Sequence, residues 1–346
     1  MSRKWQLTFG VNKTKVLLVL ALLVIGVGLW WTGGRVSIPI LPKVLDSASL
    51  ANLRQEMKET LSRDGAEEGY EKIKDFYIKP YLGSGISSHI LVHIAGEELY
   101  HHSGFDAVAV CDDQFDYGCY HGLFKAAFAD QGESVVGKLN TACFDAFGDH
   151  YYGCQHGIGH GLAEHFGQER LVDSLRNCQE IQPQITPFGC IGGVLMEYNF
   201  PLIYEKGRPE LVQRTFNSDN PYTPCPDLPR DLQAACYFRQ VEWWSAVFEN
   251  DYLQVAKLCE GLGDSLFADD CFYALGATMP ITDDFDINRA KSVCDSLDRR
   301  DRDFCYHGAS WVAYAYQEEE LASTFCLPGC RNYYLKDEEG KAISFW

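Results

Sequence analysis

Apolar residues recur at the spacing of one helix face in ERLVDSLRNC (residues 169–178), DYLQVAKLC (251–259) and INRAKSVC (287–294), and each segment ends on a cysteine. A short Asp-rich polar stretch follows, DSLDRRDRD (295–303) for example, and then a second cysteine opens a run rich in small and aromatic residues. No run of alternating β-branched residues separates these segments, so the pattern predicts two helices per unit and an all-α chain. Residues 16–34, VLLVLALLVIGVGLWWTGG, break the pattern: they carry no charge and approach the roughly 20 residues that a helix needs to cross a bilayer.

The units repeat. Aligning GCYHG (118–122), GCQHG (153–157), GCIGG (189–193), ACYFR (235–239), DCFYA (270–274) and FCYHG (304–308) places the second cysteine at 119, 154, 190, 236, 271 and 305. The steps are 35, 36, 46, 35 and 34 residues, a period that signals stacked helix pairs, each unable to bury its apolar face alone. The expected architecture is a disulfide-stapled α-solenoid with a period of about 35 residues, preceded by one transmembrane helix. Its divisions are a tail (1–15), a membrane helix (16–34), a linker (35–47), a capping helix pair (48–82), the repeat domain (83–330) and a C-terminal tail (331–346). Residues 201–231, rich in Pro, Asn and Asp, enlarge one unit as an excursion on its rim. In unit length and helix pairing the array resembles tetratricopeptide and Sel1-type repeats, whose signature residues it lacks.

Cysteine usage bears on compartment. All 14 cysteines lie between Cys111 and Cys330; outside the cytoplasm such a number means disulfides. With the repeat as guide, the simplest pairing is local: Cys111 with Cys119, Cys143 with Cys154, Cys178 with Cys190, Cys225 with Cys236, Cys259 with Cys271, Cys294 with Cys305, and Cys326 with Cys330. The apolar segment is preceded by Arg3, Lys4, Lys13 and Lys15 and followed only by Arg35 and Lys43, which by the positive-inside rule orients an uncleaved signal-anchor with its N-terminus in the cytoplasm. The bulk of the chain is then expected in the periplasm or outside the cell. A formal charge of -18 excludes nucleic acid as a natural partner, since phosphates demand clustered Lys and Arg.

The candidate chemistry is imidazole. SSHILVHIAGE (87–97) and CQHGIGHGLAE (154–164) both write His, three residues, His, three residues, Glu. Setting Ser87 on the second-cysteine position aligns His89, His93 and Glu97 with His156, His160 and Glu164, and His121 and His307 fall on the first His position of their own units. Residues at i, i+4 and i+8 share one stripe of a helix, and two His one turn apart can ligate one ion. Helices packed roughly 8 to 10 Å apart can share an ion between neighbours, not across a straight stack of three. The best single site therefore draws on His121, His156 and His160, with His89 and His93 joining if the array curves inward. The paired His and Glu residues are similar in layout to the two-iron site of the helical-repeat enzyme deoxyhypusine hydroxylase.

With the cysteines paired, imidazole and carboxylate donors suit Fe, Zn, Mn or Cu. Glu164 or Glu97 would serve as general base in metal-dependent hydrolysis, or as a ligand in oxygen chemistry. The alternative is a non-catalytic scaffold that binds a protein or peptide on its concave face, so whether the chain is an enzyme stays open at this point. His102, His150 and His307 read as packing or surface residues, Trp243, Trp244, Trp311 and Tyr314 as core, and Asp286 of the Asp284-Phe285-Asp286 triplet as a helix cap.

Overall fold

Aspartates start three of the helices. The Asp286 carboxylate accepts hydrogen bonds from the backbone N–H groups of Asn288 and Arg289 at 3.0 and 3.3 Å, Asp251 does the same for Gln254, and Asp264 accepts from Leu266 at 2.9 Å. Each satisfies amide donors that a helix N-terminus leaves unpaired and sits favourably against its dipole. Asp286→Ala should cost about 1 kcal/mol. In a domain of this size that is a fall in Tm of ~2–4 °C in a thermal CD scan, while Asp286→Asn, which caps as well, should melt with the wild type.

The computed structural model describes residues 47–81, 88–112, 114–115, 117–148, 151–181, 187–199, 214–282 and 286–315. The membrane segment and the Cys326–Cys330 bridge expected above lie outside them, as do residues 201–213 of the excursion, His150 and the side chain of Tyr314. Among the described residues no strand occurs, and no helix is long and apolar enough to cross a membrane.

The elements are α1 (Ser47–Asp64), α2 (Ala66–Ile73), α3 (Ser88–Ser103), α4 (Gly118–Gln131), α5 (Val136–Phe147), α6 (Tyr152–Phe166), α7 (Leu171–Gln179), α8 (Gly189–Asn199), α9 (Arg230–Val247), α10 (Tyr252–Glu260), α11 (Ser265–Thr282), α12 (Ile287–Asp295) and α13 (Arg299–Ala315). α1 and α2 span most of the segment expected as a capping helix pair, and α2 runs on through a π turn (Lys74–Ile78) and a 3-10 turn (Lys79–Tyr81). Six of the expected disulfides are present, each between the two cysteines of its own unit, which points to an oxidising compartment.

Helices that carry the second cysteine begin on it, within two residues, only in α4, α6 and α8. In α9, α11 and α13 they begin six residues earlier, at Arg230, Ser265 and Arg299. The Asp-rich stretches that read as turns supply the first helical turns there, because an acid near the N-terminus favours helix as much as it favours a turn.

Reciprocal glycines join inner helices in close pairs. A Cβ at Gly96 of α3 would lie 2.0 Å from the Cys119 carbonyl oxygen of α4, and one at Gly122 of α4 would lie 1.8 Å from that of His93 in α3. The same exchange joins α6 to α8, where Gly159 meets the Cys190 carbonyl at 2.1 Å and Gly193 meets that of His156 at 1.9 Å. Gly276 and Gly308 repeat it between α11 and α13, at 1.8 and 1.9 Å. Only a residue without a Cβ lets backbones approach this closely.

What fills the space between the inner helices differs along the chain. Around α9, α11 and α13, Phe238 and Tyr273 occupy the first-His register and pack with Trp311 and Phe188, with ring centroids 5.0 to 6.2 Å apart. Trp243 and Trp244 are buried in the same core. Around α3, α4 and α6 the corresponding registers hold histidines.

Candidate metal centre

The five histidines of the stripe form one connected cluster. α3 supplies His89 and His93, one turn apart, and the Gly96 and Gly122 crossing brings His121 of α4 against both. His93 Nε2 lies 3.0 Å from His89 Nε2 and 3.2 Å from His121 Nδ1, and the three residues offer nitrogen atoms all within 4.8 Å of one another. For metal–nitrogen bonds of 2.0–2.1 Å, tetrahedral coordination spaces nitrogens about 3.3 Å apart. The triad is within a few tenths of an ångström of that spacing on both sides of His93.

Hydrogen bonding alone does not account for this arrangement. His89 Nδ1 faces the Phe115 carbonyl oxygen at 2.8 Å, so it carries the hydrogen and leaves a lone pair on Nε2. His93 Nε2 therefore faces a lone pair on one side and His121 on the other. A single hydrogen on His93 Nε2 cannot serve both neighbours, and with none there the His89 contact sets two lone pairs together. In either tautomer one short contact between neutral rings lacks a hydrogen. A cation between the three nitrogens satisfies all of them, with the Phe115 carbonyl orienting His89 as outer-shell acceptors commonly do.

Four of the rings are held toward the neutral form, the state in which imidazole binds metals. Burial first, then the positive character of neighbouring His89 and Lys125, holds His93 well below the ordinary histidine range. Burial and the surrounding histidines do the same for His121, and burial, His160 and Arg239 for His156. His160 is pushed down to about 3 by burial, helped by His89 and Arg239.

α6 supplies the other pair. His156 Nε2 and His160 Nε2 face each other at 3.2 Å, and the His160 ring stacks on that of His121 with centroids 4.0 Å apart. His160 Nδ1 bonds Glu197 Oε2 of α8 at 2.7 Å. His121 thus touches both pairs, and the tightest triad is His89, His93 and His121, rather than the expected grouping of His121 with His156 and His160.

The two glutamates of the motif stand at the margin. Glu97 accepts from Arg54 Nη2 of α1 at 2.5 Å, beside Glu98 on the same guanidinium. Glu164 accepts from Lys125 Nζ of α4 at 3.2 Å; burial pushes its carboxyl up to about 7, with Glu197 adding to the rise and Lys125 opposing it. Glu197 is likewise raised to about 7 by burial, against the pull of His89 and Lys125. His307 lies half-buried beside Phe304, and His102 is exposed and bonded to Ser103.

Glu197, Lys125 and Arg54 went unseen in the sequence. Glu197 sits one position off the histidine stripe, in a helix whose first-His register is Gly192. Its signal is an acid within the largely apolar run GCIGGVLMEYN. Lys125 occupies, in α4, the register held by His93 and His160 elsewhere. No protein-family model matches this chain, and neither a curated protein nor a solved structure matches it.

Proposed function

We propose that the chain is an extracytoplasmic metalloprotein that binds a first-row transition-metal ion through His89, His93 and His121. The observation that carries this reading is the His93 Nε2 atom, within 3.2 Å of nitrogens on both sides, in a partly buried site where neutral rings cannot supply a hydrogen to both contacts. Of Fe, Zn, Mn and Cu, a donor set of imidazoles alone suits Zn, Cu or Fe, since Mn prefers oxygen ligands. Six disulfides support placement outside the reducing cytoplasm, and the apolar segment at 16–34 would tether the domain to the membrane.

Hydrolysis is the use that the surrounding residues favour. A bound ion of this type lowers the pKa of a coordinated water. Glu164, held near neutrality and partly exposed, can accept a proton at pH 7 and return it. Lys125 at 3.2 Å positions that carboxylate. Glu97 is engaged instead by Arg54.

Elemental analysis of the purified, oxidised protein tests the metal reading. At least one equivalent of Zn, Cu or Fe is expected. His93→Gln, close to isosteric, should weaken binding by more than ~100-fold, beyond the usual loss for an outer-shell partner. A wild-type protein that neither carries these metals nor takes them up at micromolar concentration removes the reading and leaves a repeat scaffold for a protein or peptide partner.

A further inference from the structure

The contact between His156 and His160 has the same form as that between His89 and His93. Both pairs are spaced i, i+4 on a helix, both bring two Nε2 atoms together, at 3.2 and 3.0 Å, and both lie at a glycine-locked crossing. The locking glycine meets the backbone carbonyl of His93 in one helix pair and of His156 in the other. The outer nitrogen of one ring in each pair is held by an oxygen acceptor: the Phe115 carbonyl for His89 and the Glu197 carboxylate for His160.

We infer that the cluster is a binuclear centre, in which His156 and His160 hold a second transition-metal cation beside the one on His89, His93 and His121. This rests on the metal reading above and extends it to α6 and α8. The orientation of the rings points the same way. His160 Nδ1 is engaged outward by Glu197 Oε2 at 2.7 Å, while His160 Nε2 is turned inward toward His156 Nε2 at 3.2 Å. A cation between the two Nε2 atoms would use both of these nitrogens.

Proximity and charge support two ions. The His121 ring, a ligand of the first site, stacks at 4.0 Å on the His160 ring, a ligand of the second, so the two sites share a wall of imidazole. The first site contributes no anionic ligand. Glu197 against His160 and Glu164 one turn beyond it provide two carboxylates on the side of the second, where a further dication would otherwise be uncompensated. Two His ligands also leave coordination positions open, as catalytic sites do and closed structural sites do not.

The experiment is a titration of the full-length, oxidised, metal-stripped protein with Cu²⁺, read by bound-metal stoichiometry and by EPR spin counting. Two equivalents are expected, the second accompanied by broadening or loss of the isolated Cu²⁺ signal through coupling between neighbouring ions. Glu197→Gln, which keeps an oxygen acceptor but removes the charge, should weaken the second equivalent about tenfold or more and leave the first within a factor of three. His156→Gln with His160→Gln should bind one equivalent with an uncoupled signal. A wild type that takes one equivalent, lost in His93→Gln and kept in the His156/His160 double variant, overturns the binuclear inference while the triad stands. Two equivalents with uncoupled signals would place the second ion elsewhere and overturn it equally. No binding in any form removes both readings.

Discussion

Reducing the disulfides should unfold the helical domain at 25 °C. The six bridges close loops with sequence separations of 8 to 12 residues, none overlapping another. Constraint of the unfolded chain by loops of this length is worth roughly 2.5–3 kcal/mol each. Because the loops are independent, their contributions add to about 15 kcal/mol, as large as the whole stability of a typical domain. Bridges placed between the end of one helix and the next also hold consecutive helices together independently of apolar packing. Far-UV CD after full reduction and alkylation of the thiols should show most of the helical signal lost. A reduced, blocked protein that keeps that signal and melts within ~5 °C of the oxidised form would show that apolar packing alone sustains the array.

Gly122→Ala should destabilise the protein by about 3 kcal/mol or more and disable the metal triad with it. The added methyl would sit 1.8 Å from the His93 carbonyl oxygen, well inside van der Waals contact, so α3 and α4 must separate by more than about 1 Å; overpacking on this scale lies at or beyond the upper end of its usual cost. The displaced atom belongs to His93 itself, so its ring moves relative to His121 and the nitrogen spacing opens. Gly276→Ala sets the same clash, 1.8 Å from the Cys305 carbonyl, in a helix pair packed with aromatics, and should lower Tm comparably while metal affinity holds. Gly137→Ala meets nothing within 4 Å and should be neutral or stabilise α5 by up to ~1 kcal/mol. If Gly122→Ala and Gly137→Ala melt alike, the close crossing is not what holds the triad together.

The disulfide pattern was legible because it is local: each bond joins cysteines 8 to 12 residues apart, inside one unit of a period that repeats five times. Helix starts were less so. The stretch from Arg299 to Asp303 is Asp-rich and polar, as a turn would be, yet it is the opening of α13, since the residues that end one helix well also begin the next. Among site residues, the stripe His89, His93, His156, His160 followed from helical periodicity and repeat register together. Glu197 did not, because one residue off the stripe turns a side chain about 100° around its own helix, and only the position of α8 against α6 brings that direction onto His160.

What the sequence by itself determined was therefore everything that depends on neighbours along the chain: an all-helical build, the pairing of six disulfides, and the face of each helix on which the histidines lie. The tertiary structure alone decided which faces meet and how closely. Period sets the direction of a side chain about its helix axis and says nothing of the distance between axes. Here that distance is set pairwise by glycines facing carbonyl oxygens, which join inner helices in close pairs and draw His121 onto both histidine pairs. At the same crossing farther along, the inner positions hold Phe238, Tyr273 and Trp311 and close as an apolar core; between α3, α4 and α6 they hold imidazoles, whose buried nitrogens need hydrogens or a cation.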